Sequence, residues 1–120
     1  MNAILGLILF SISMIANAGD DISLNVSTSE TTFIVTLAAN PTTGYQWTVV
    51  KYDKKLLTLV SSIYQRAKTN LIGAGGQMLF TFSLKKGKKY PASTSMLFKY
   101  ARSWEANSSK LQEVTVNFTP

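Results

Sequence analysis

The sequence predicts an all-β domain, a two-sheet antiparallel sandwich of about seven short strands. Three observations carry that expectation. Apolar and polar residues alternate with a period of two over most of the chain, and turn-forming segments separate the alternating stretches. No window keeps an apolar stripe at helical spacing between capping signals. Successive side chains on a strand point to opposite faces, so each alternating set lines one side of a sheet.

Taken in order, Ile22 to Val26 is the first strand candidate. In Thr32 to Leu37 the residues Phe33, Val35 and Leu37 share a face, and Tyr45, Trp47 and Val49 do so next. Leu56 to Tyr64 alternates less cleanly. Met78, Phe80, Phe82 and Leu84 form the clearest set, opposed by Thr81, Ser83 and Lys85. Met96, Phe98 and Tyr100 repeat the pattern, and Val114, Val116 and Phe118 close it. Trp47, Phe80, Phe82, Phe98 and Phe118 are read as core residues. Periodicity neither orders these strands nor separates a sandwich from a small barrel.

Residues 1–18 read as a secretory leader. Ile4 to Ile15 is an apolar run of signal-peptide length, too short to span a bilayer, and Ala16-Asn17-Ala18 is a small-x-small cleavage pattern. No Lys or Arg precedes the run, so the positive end is the α-amino group of Met1. Residues 19–120 then form one exported domain. Export here implies a periplasmic, extracellular or secretory-lumen location. The chain has no cysteine, which excludes disulfides and a lipid anchor at the cleavage site and leaves stability to packing. No second apolar segment approaches transmembrane length, so the mature product is expected to be soluble and free of stable membrane insertion.

Twelve Lys and Arg against six Asp and Glu give a net charge of +6. Much of the excess lies in Lys85-Lys86-Gly87-Lys88-Lys89. Such a cluster either meets an anionic partner or is a solvated turn whose charges discourage edge-to-edge sheet pairing. The chain also lacks histidine. That removes Ser-His-Asp and Cys-His catalysis, imidazole bases and every thiolate or imidazole metal site. The six acids are scattered without ligand spacing. Gly73-Ala74-Gly75-Gly76 is no phosphate loop, because no Gly-Lys-Ser/Thr follows it. A binding protein is expected, not an enzyme, with no cofactor, no metal and no nucleic-acid partner.

Three turn segments stand out: Asn40-Pro41-Thr42-Thr43-Gly44, Gly73-Ala74-Gly75-Gly76 and Arg102-Ser103-Trp104. Pro41 presets its own φ and pushes Asn40 toward extended geometry, while Gly44 permits a backbone conformation that other residues resist. Thr42 and Thr43 would project short hydroxyls from this turn. The glycine run lets main chain approach main chain, with Leu71 and Ile72 apolar beside it. Arg and Trp are the residue types most enriched among interface hot spots.

In this order the segments resemble the three loops of the chagasin family, which inhibits papain-like cysteine peptidases. The first is the family's Asn-Pro-Thr-Thr-Gly motif unchanged, and the second matches its Gly-x-Gly-Gly motif. The third resembles its Arg-Pro-Trp segment, with Ser103 where Pro is usual. The resemblance spans nearly all of the chain after the leader. It implies an immunoglobulin-like antiparallel β-sandwich of seven or eight strands. It also implies a monomeric, reversible, noncovalent inhibitor whose partners include papain and cathepsin L-type enzymes. The peptidase-binding residues it implies are Asn40 to Gly44, Leu71 to Gly76 and Arg102 to Trp104, with the threonine loop pointing at the catalytic cysteine. The competing reading is an exported adhesion or anionic-ligand-binding domain that uses the lysine turn.

Overall fold

In the computed structural model, which describes residues 21–68, 75–105 and 109–120, the alternating stretches become seven strands. These are β1 (Ile22–Ser27), β2 (Thr32–Ala39), β3 (Tyr45–Lys51), β4 (Leu57–Arg66), β5 (Gly76–Leu84), β6 (Ser93–Arg102) and β7 (Lys110–Thr119). Four form one sheet in the order β1-β7-β6-β3, and three form the other in the order β2-β5-β4. All pairings are antiparallel except that of β1 with β7. The arrangement is a sandwich, not a barrel. The leader assigned to residues 1–18 lies outside the described residues.

The inward sets are those the period of two marks. Phe33, Val35 and Leu37 pair across to Phe82, Phe80 and Met78. Met96, Phe98, Val114, Val116, Val26 and Phe118 meet them from the other sheet, and all but Met78 of these are buried. The rings of Phe80 and Phe98 tilt together at 5.0 Å, joining the sheets through the centre. Tyr90 closes one end by stacking on Phe118 at 4.1 Å. Burial, and secondarily the negative charge of Glu30, pushes its phenol above the ordinary tyrosine value.

Two β-bulges explain where the alternation falters. The register of β4 against β5 shifts between Leu59 and Ser61, so Val60 is an extra residue and the inward parity switches behind it. Leu57 and Leu59 face the core before the bulge; Ser62 and Tyr64 take that phase after it, opposite Phe80 and Met78. Ile63 is thereby turned outward and is 57% exposed. A second shift, between Val49 and Lys51 in β3, leaves Val50 exposed in the same way.

Trp47 departs from the core role expected of it. It is half-buried and packs against the margin of the core, with its indole Nε1 donating to the Ala38 carbonyl of the other sheet at 2.9 Å. Because β3 is an edge strand, one side of the ring has no neighbouring strand to cover it. Arg102, read as the start of a turn segment, is instead the last residue of β6.

The strand directions bring the ends of β2, β4 and β6 to one end of the sandwich, since Ala39 and Arg66 both pair with Gly76 and Arg102 pairs with Tyr45. Core and bulge positions should differ sharply on substitution. Phe98→Ala is expected to lower the unfolding free energy by about 3–5 kcal/mol. Ile63→Thr should change it by no more than about 0.5 kcal/mol. Urea unfolding of both variants measures this, and comparable losses would mean that β4 keeps one phase throughout.

Candidate functional site: three loops at one end of the sandwich

The β2–β3 connection is a rigid turn built by its own side chains. Asn40 is extended at φ −141° and ψ 89°, as a residue before proline must be. Its Oδ1 accepts from the Thr42 amide at 3.3 Å and from the Thr42 hydroxyl at 2.6 Å. Pro41–Thr43 then makes one 3-10 turn with Pro41 at its start, where a missing N–H costs nothing. The Thr43 hydroxyl donates to the Asn40 carbonyl at 2.7 Å, and the Gly44 amide donates to the Pro41 carbonyl at 2.9 Å. Gly44 closes the turn at φ +84°, a left-handed conformation natural to glycine.

These bonds correct one expectation. Both threonine hydroxyls donate inside the loop, so their protons hold the turn in shape instead of projecting free. What they offer outward is acceptor lone pairs.

Arg102 and Trp104 are brought onto this turn. Arg102 donates from Nε to the Thr43 carbonyl at 3.0 Å and from Nη1 to Glu105 Oε1 at 2.7 Å. Its guanidinium carbon lies 4.6 Å from the centre of the Tyr45 ring, a cation–π contact. Hydrogen bonding to Glu105 raises its pKa further, so the group is permanently charged. Thus Arg102, expected as a contact residue, joins the third loop to the first. Residues 102–105 form a tight turn in which the Glu105 amide donates to the Arg102 carbonyl at 3.3 Å. Ser103 takes the position of that turn where a proline is favoured.

The Trp104 ring lies over Gly44. A Cβ built on Gly44 would fall 2.3 Å from its Cη2 and 2.9 Å from its Cζ2. The indole is nonetheless 67% exposed. It therefore presents one face to solvent while the other is fixed on the first loop. Beneath it runs a groove of about 440 Å³, lined by Gly44, Gln46, Thr48, Lys99 and Glu105 among others.

Behind the loops an aromatic stack runs back to the core. Tyr100 stacks on Tyr45 at 4.9 Å and on Trp47 at 4.6 Å, and its hydroxyl accepts from the Asn40 amide at 3.2 Å. Tyr45, Tyr100 and Glu105 are site residues that the motif reading does not single out. Their alternation with Trp47 and Arg102 is visible in the chain, but the pairing of Tyr45 with Arg102 depends on a register that no local pattern sets.

Of the second loop, Leu71, Ile72, Gly73 and Ala74 lie outside the described residues. Gly75 and Gly76 are placed beside the first loop. Gly75 has φ +80°, and a Cβ on it would stand 3.0 Å from the Ala39 carbonyl and 3.4 Å from Asn40 Cβ. Gly76 lies between β2 and β4, where a Cβ would meet the Gln65 carbonyl at 2.1 Å. Only a bare backbone fits. Chemically the site is a rigid surface with one exposed aromatic face and turn-borne acceptors. Among the described residues no three acidic, histidine or cysteine side chains gather as metal ligands would.

Residues 25–118 match the model of the chagasin family of peptidase inhibitors. The fold resembles the crystal structure of the cysteine protease inhibitor EhICP2 from Entamoeba histolytica. That match has a TM-score of 0.58 at 17% identity and covers 81% of this chain and 85% of that one. It also resembles the solution structure of amebosin, with a TM-score of 0.51 at 19% identity over 81% and 88% of the two chains. No curated protein matches the chain in sequence.

The contact of Trp104 with Gly44 is directly testable. Gly44→Ala places a side chain in left-handed geometry and against the indole, so it should destabilise the domain by about 1–2 kcal/mol. It should also shift the Trp104 indole N–H resonance. Urea melts and an amide correlation spectrum report both. Unchanged stability with an unmoved indole signal would mean that the ring does not rest on Gly44.

Proposed function

The chain belongs to the chagasin family of peptidase inhibitors, and from that premise we propose that it inhibits papain-like cysteine peptidases reversibly, without a covalent bond, by filling the active-site cleft with its three loops. The observation that carries this reading is the exposed Trp104 ring held on the first loop by Gly44 and Arg102. An inhibitor must lose little freedom on docking, since each side chain immobilised at an interface costs about 0.5–1.5 kcal/mol. A turn already closed by its own side chains and clamped by Arg102 has little left to lose. The cysteine protease inhibitor named among the fold relatives supports the same target class.

The first loop suits the deepest position. Its 3-10 turn does not present an extended peptide bond in reactive register, so it can sit near a nucleophilic thiolate uncleaved. The Thr42 and Thr43 oxygens retain lone pairs for donors on the catalytic floor. Trp104 covers apolar surface beside that floor. Leu71 to Gly76 pairs main chain with an extended strip of the cleft, much as a substrate would. The chain contains no thiol-reactive group, so release returns both partners intact. Papain and cathepsin L-type enzymes are the partners of choice, met by a monomer. Residues 1–18 serve as an export leader, a reading supported by the apolar run and the Ala16-Asn17-Ala18 pattern.

Titration of residues 19–120 against papain and a cathepsin L-type enzyme should give inhibition constants of nanomolar order, typical of an interface of standard size. Trypsin-like and metallopeptidases should be unaffected. Trp104→Ala should weaken inhibition about thirtyfold, or about 2 kcal/mol, with little change in stability. Absence of inhibition by the folded wild-type protein would sink the proposal.

Two variants test how the loops act. Thr42→Ala with Thr43→Ala should weaken inhibition by at least about 1 kcal/mol, because loosening of the turn adds to the lost contacts. Ser103→Pro should leave the fold intact and hold or tighten inhibition, since it stiffens a turn position suited to proline. A tenfold loss from Ser103→Pro would mean that Arg102-Ser103-Trp104 does not correspond to the family's Arg-Pro-Trp segment.

A further inference from the structure

We propose that the end of the sandwich opposite the three loops is a second binding surface, which takes a linear sulfated polysaccharide. The lysine-rich segment after β5 does not stand alone there. The β3–β4 connection carries Lys54 and Lys55, with Lys51 at the end of β3. The connection after β5 carries Lys85, Lys86, Lys88 and Lys89. The two are tied side by side, because the Lys85 amide donates to the Leu56 carbonyl at 2.9 Å. Seven of the chain's twelve basic residues thus share one end, and all seven are exposed.

Little neutralises them from within. Asp53 is the carboxylate in their midst, and its Oδ1 accepts from the Lys55 and Leu56 amides at 3.0 and 3.2 Å. Glu30 lies in the neighbouring β1–β2 turn. The ion pair found among the described residues, Arg102 with Glu105, is at the other end. Lys54 lies 5.9 Å from the centre of the half-buried Tyr52 ring, and the other six ammonium groups reach into solvent.

The form of this surface selects the ligand. Both connections cross from one sheet to the other, so the charges spread over the roughly 10 Å between facing sheets. A single small anion does not bridge that span; a chain of regularly spaced anionic groups does. Among residues 50–55 and 85–89 the aromatic ring is that of Tyr52, half-buried with Lys54 near it, and the exposed apolar side chain is Val50, too little for base stacking or for insertion into a bilayer. That disfavours single-stranded nucleic acid and a lipid surface. Because β4 and β5 separate this end from the loops by about 30 Å at roughly 3.3 Å per residue, both ends can be occupied together. This inference does not rest on the proposed inhibition.

The experiment is titration of the protein with a size-defined heparin oligosaccharide across a series of salt concentrations. A desulfated oligosaccharide, a single-stranded oligonucleotide and vesicles of phosphatidylcholine with phosphatidylserine run beside it. Two variants of equal charge loss locate the site. Lys54→Gln, Lys55→Gln and Lys86→Gln together should weaken heparin binding at least about tenfold and flatten its salt dependence. Lys68→Gln, Lys99→Gln and Lys110→Gln together should weaken it less than about threefold. The first set should leave peptidase inhibition and melting temperature unchanged. Equal losses in the two sets would overturn the proposal, since net charge and not a site would then be responsible. So would failure to bind heparin, or binding of the oligonucleotide or the vesicles with equal strength.

Discussion

One side chain holds the loop-bearing end together. Arg102 is the last residue of β6, so the sheet sets its position, yet its guanidinium reaches three separate partners. It stacks on Tyr45 from the neighbouring strand, donates to the Thr43 carbonyl of the first loop and pairs with Glu105 of the third. A planar cation with donors in a fixed fork can do all three at once, which a lysine ammonium at the same place cannot. Behind it the stack of Tyr45, Tyr100 and Trp47 carries the same face back to the margin of the buried core. The first and third loops are thereby supported by the packing that stabilises the domain, in a chain that has no cysteine for a disulfide.

That support explains why the turn residues are small or bare where they are. Gly44 lies under an indole, and Gly76 lies against a neighbouring backbone, so neither position has room for a Cβ. The threonine hydroxyls and Asn40 Oδ1 close the first turn locally. Local closure and the long-range clamp from Arg102 point to one conformation, and that agreement lets a loop be both exposed and ordered.

Much of this was legible in the chain, and the rest was not for identifiable reasons. Phe33, Val35 and Leu37, or Val114, Val116 and Phe118, declare their buried face because period-two alternation is a local property. The bulges at Val50 and Val60 shift register against a partner strand, which neither strand encodes alone, so Val50 and Ile63 are exposed against the alternation, while Trp47 is only half-buried because its strand lies at the sheet edge. The three loop motifs were legible as segments, and their gathering at one end follows from the sandwich. The inward use of the Thr42 and Thr43 hydroxyls depends on the conformation that the turn itself adopts around Asn40, and the use of Arg102 as a clamp depends on the register of Tyr45 against Arg102. The joining of two lysine-bearing turns at the far end depends on a backbone bond between residues 29 positions apart in sequence, Leu56 and Lys85.

In the free protein the first and third loops form one unit, with Trp104 on Gly44 and Arg102 on Thr43. Nuclear Overhauser contacts in the free protein test it most directly, between the Gly44 α-protons and the Trp104 indole ring protons. Strong cross-peaks are expected, together with upfield ring-current displacement of at least one Gly44 α-proton. Ordinary α-proton shifts with no cross-peak to the indole would show that the two loops move independently and are not preassembled.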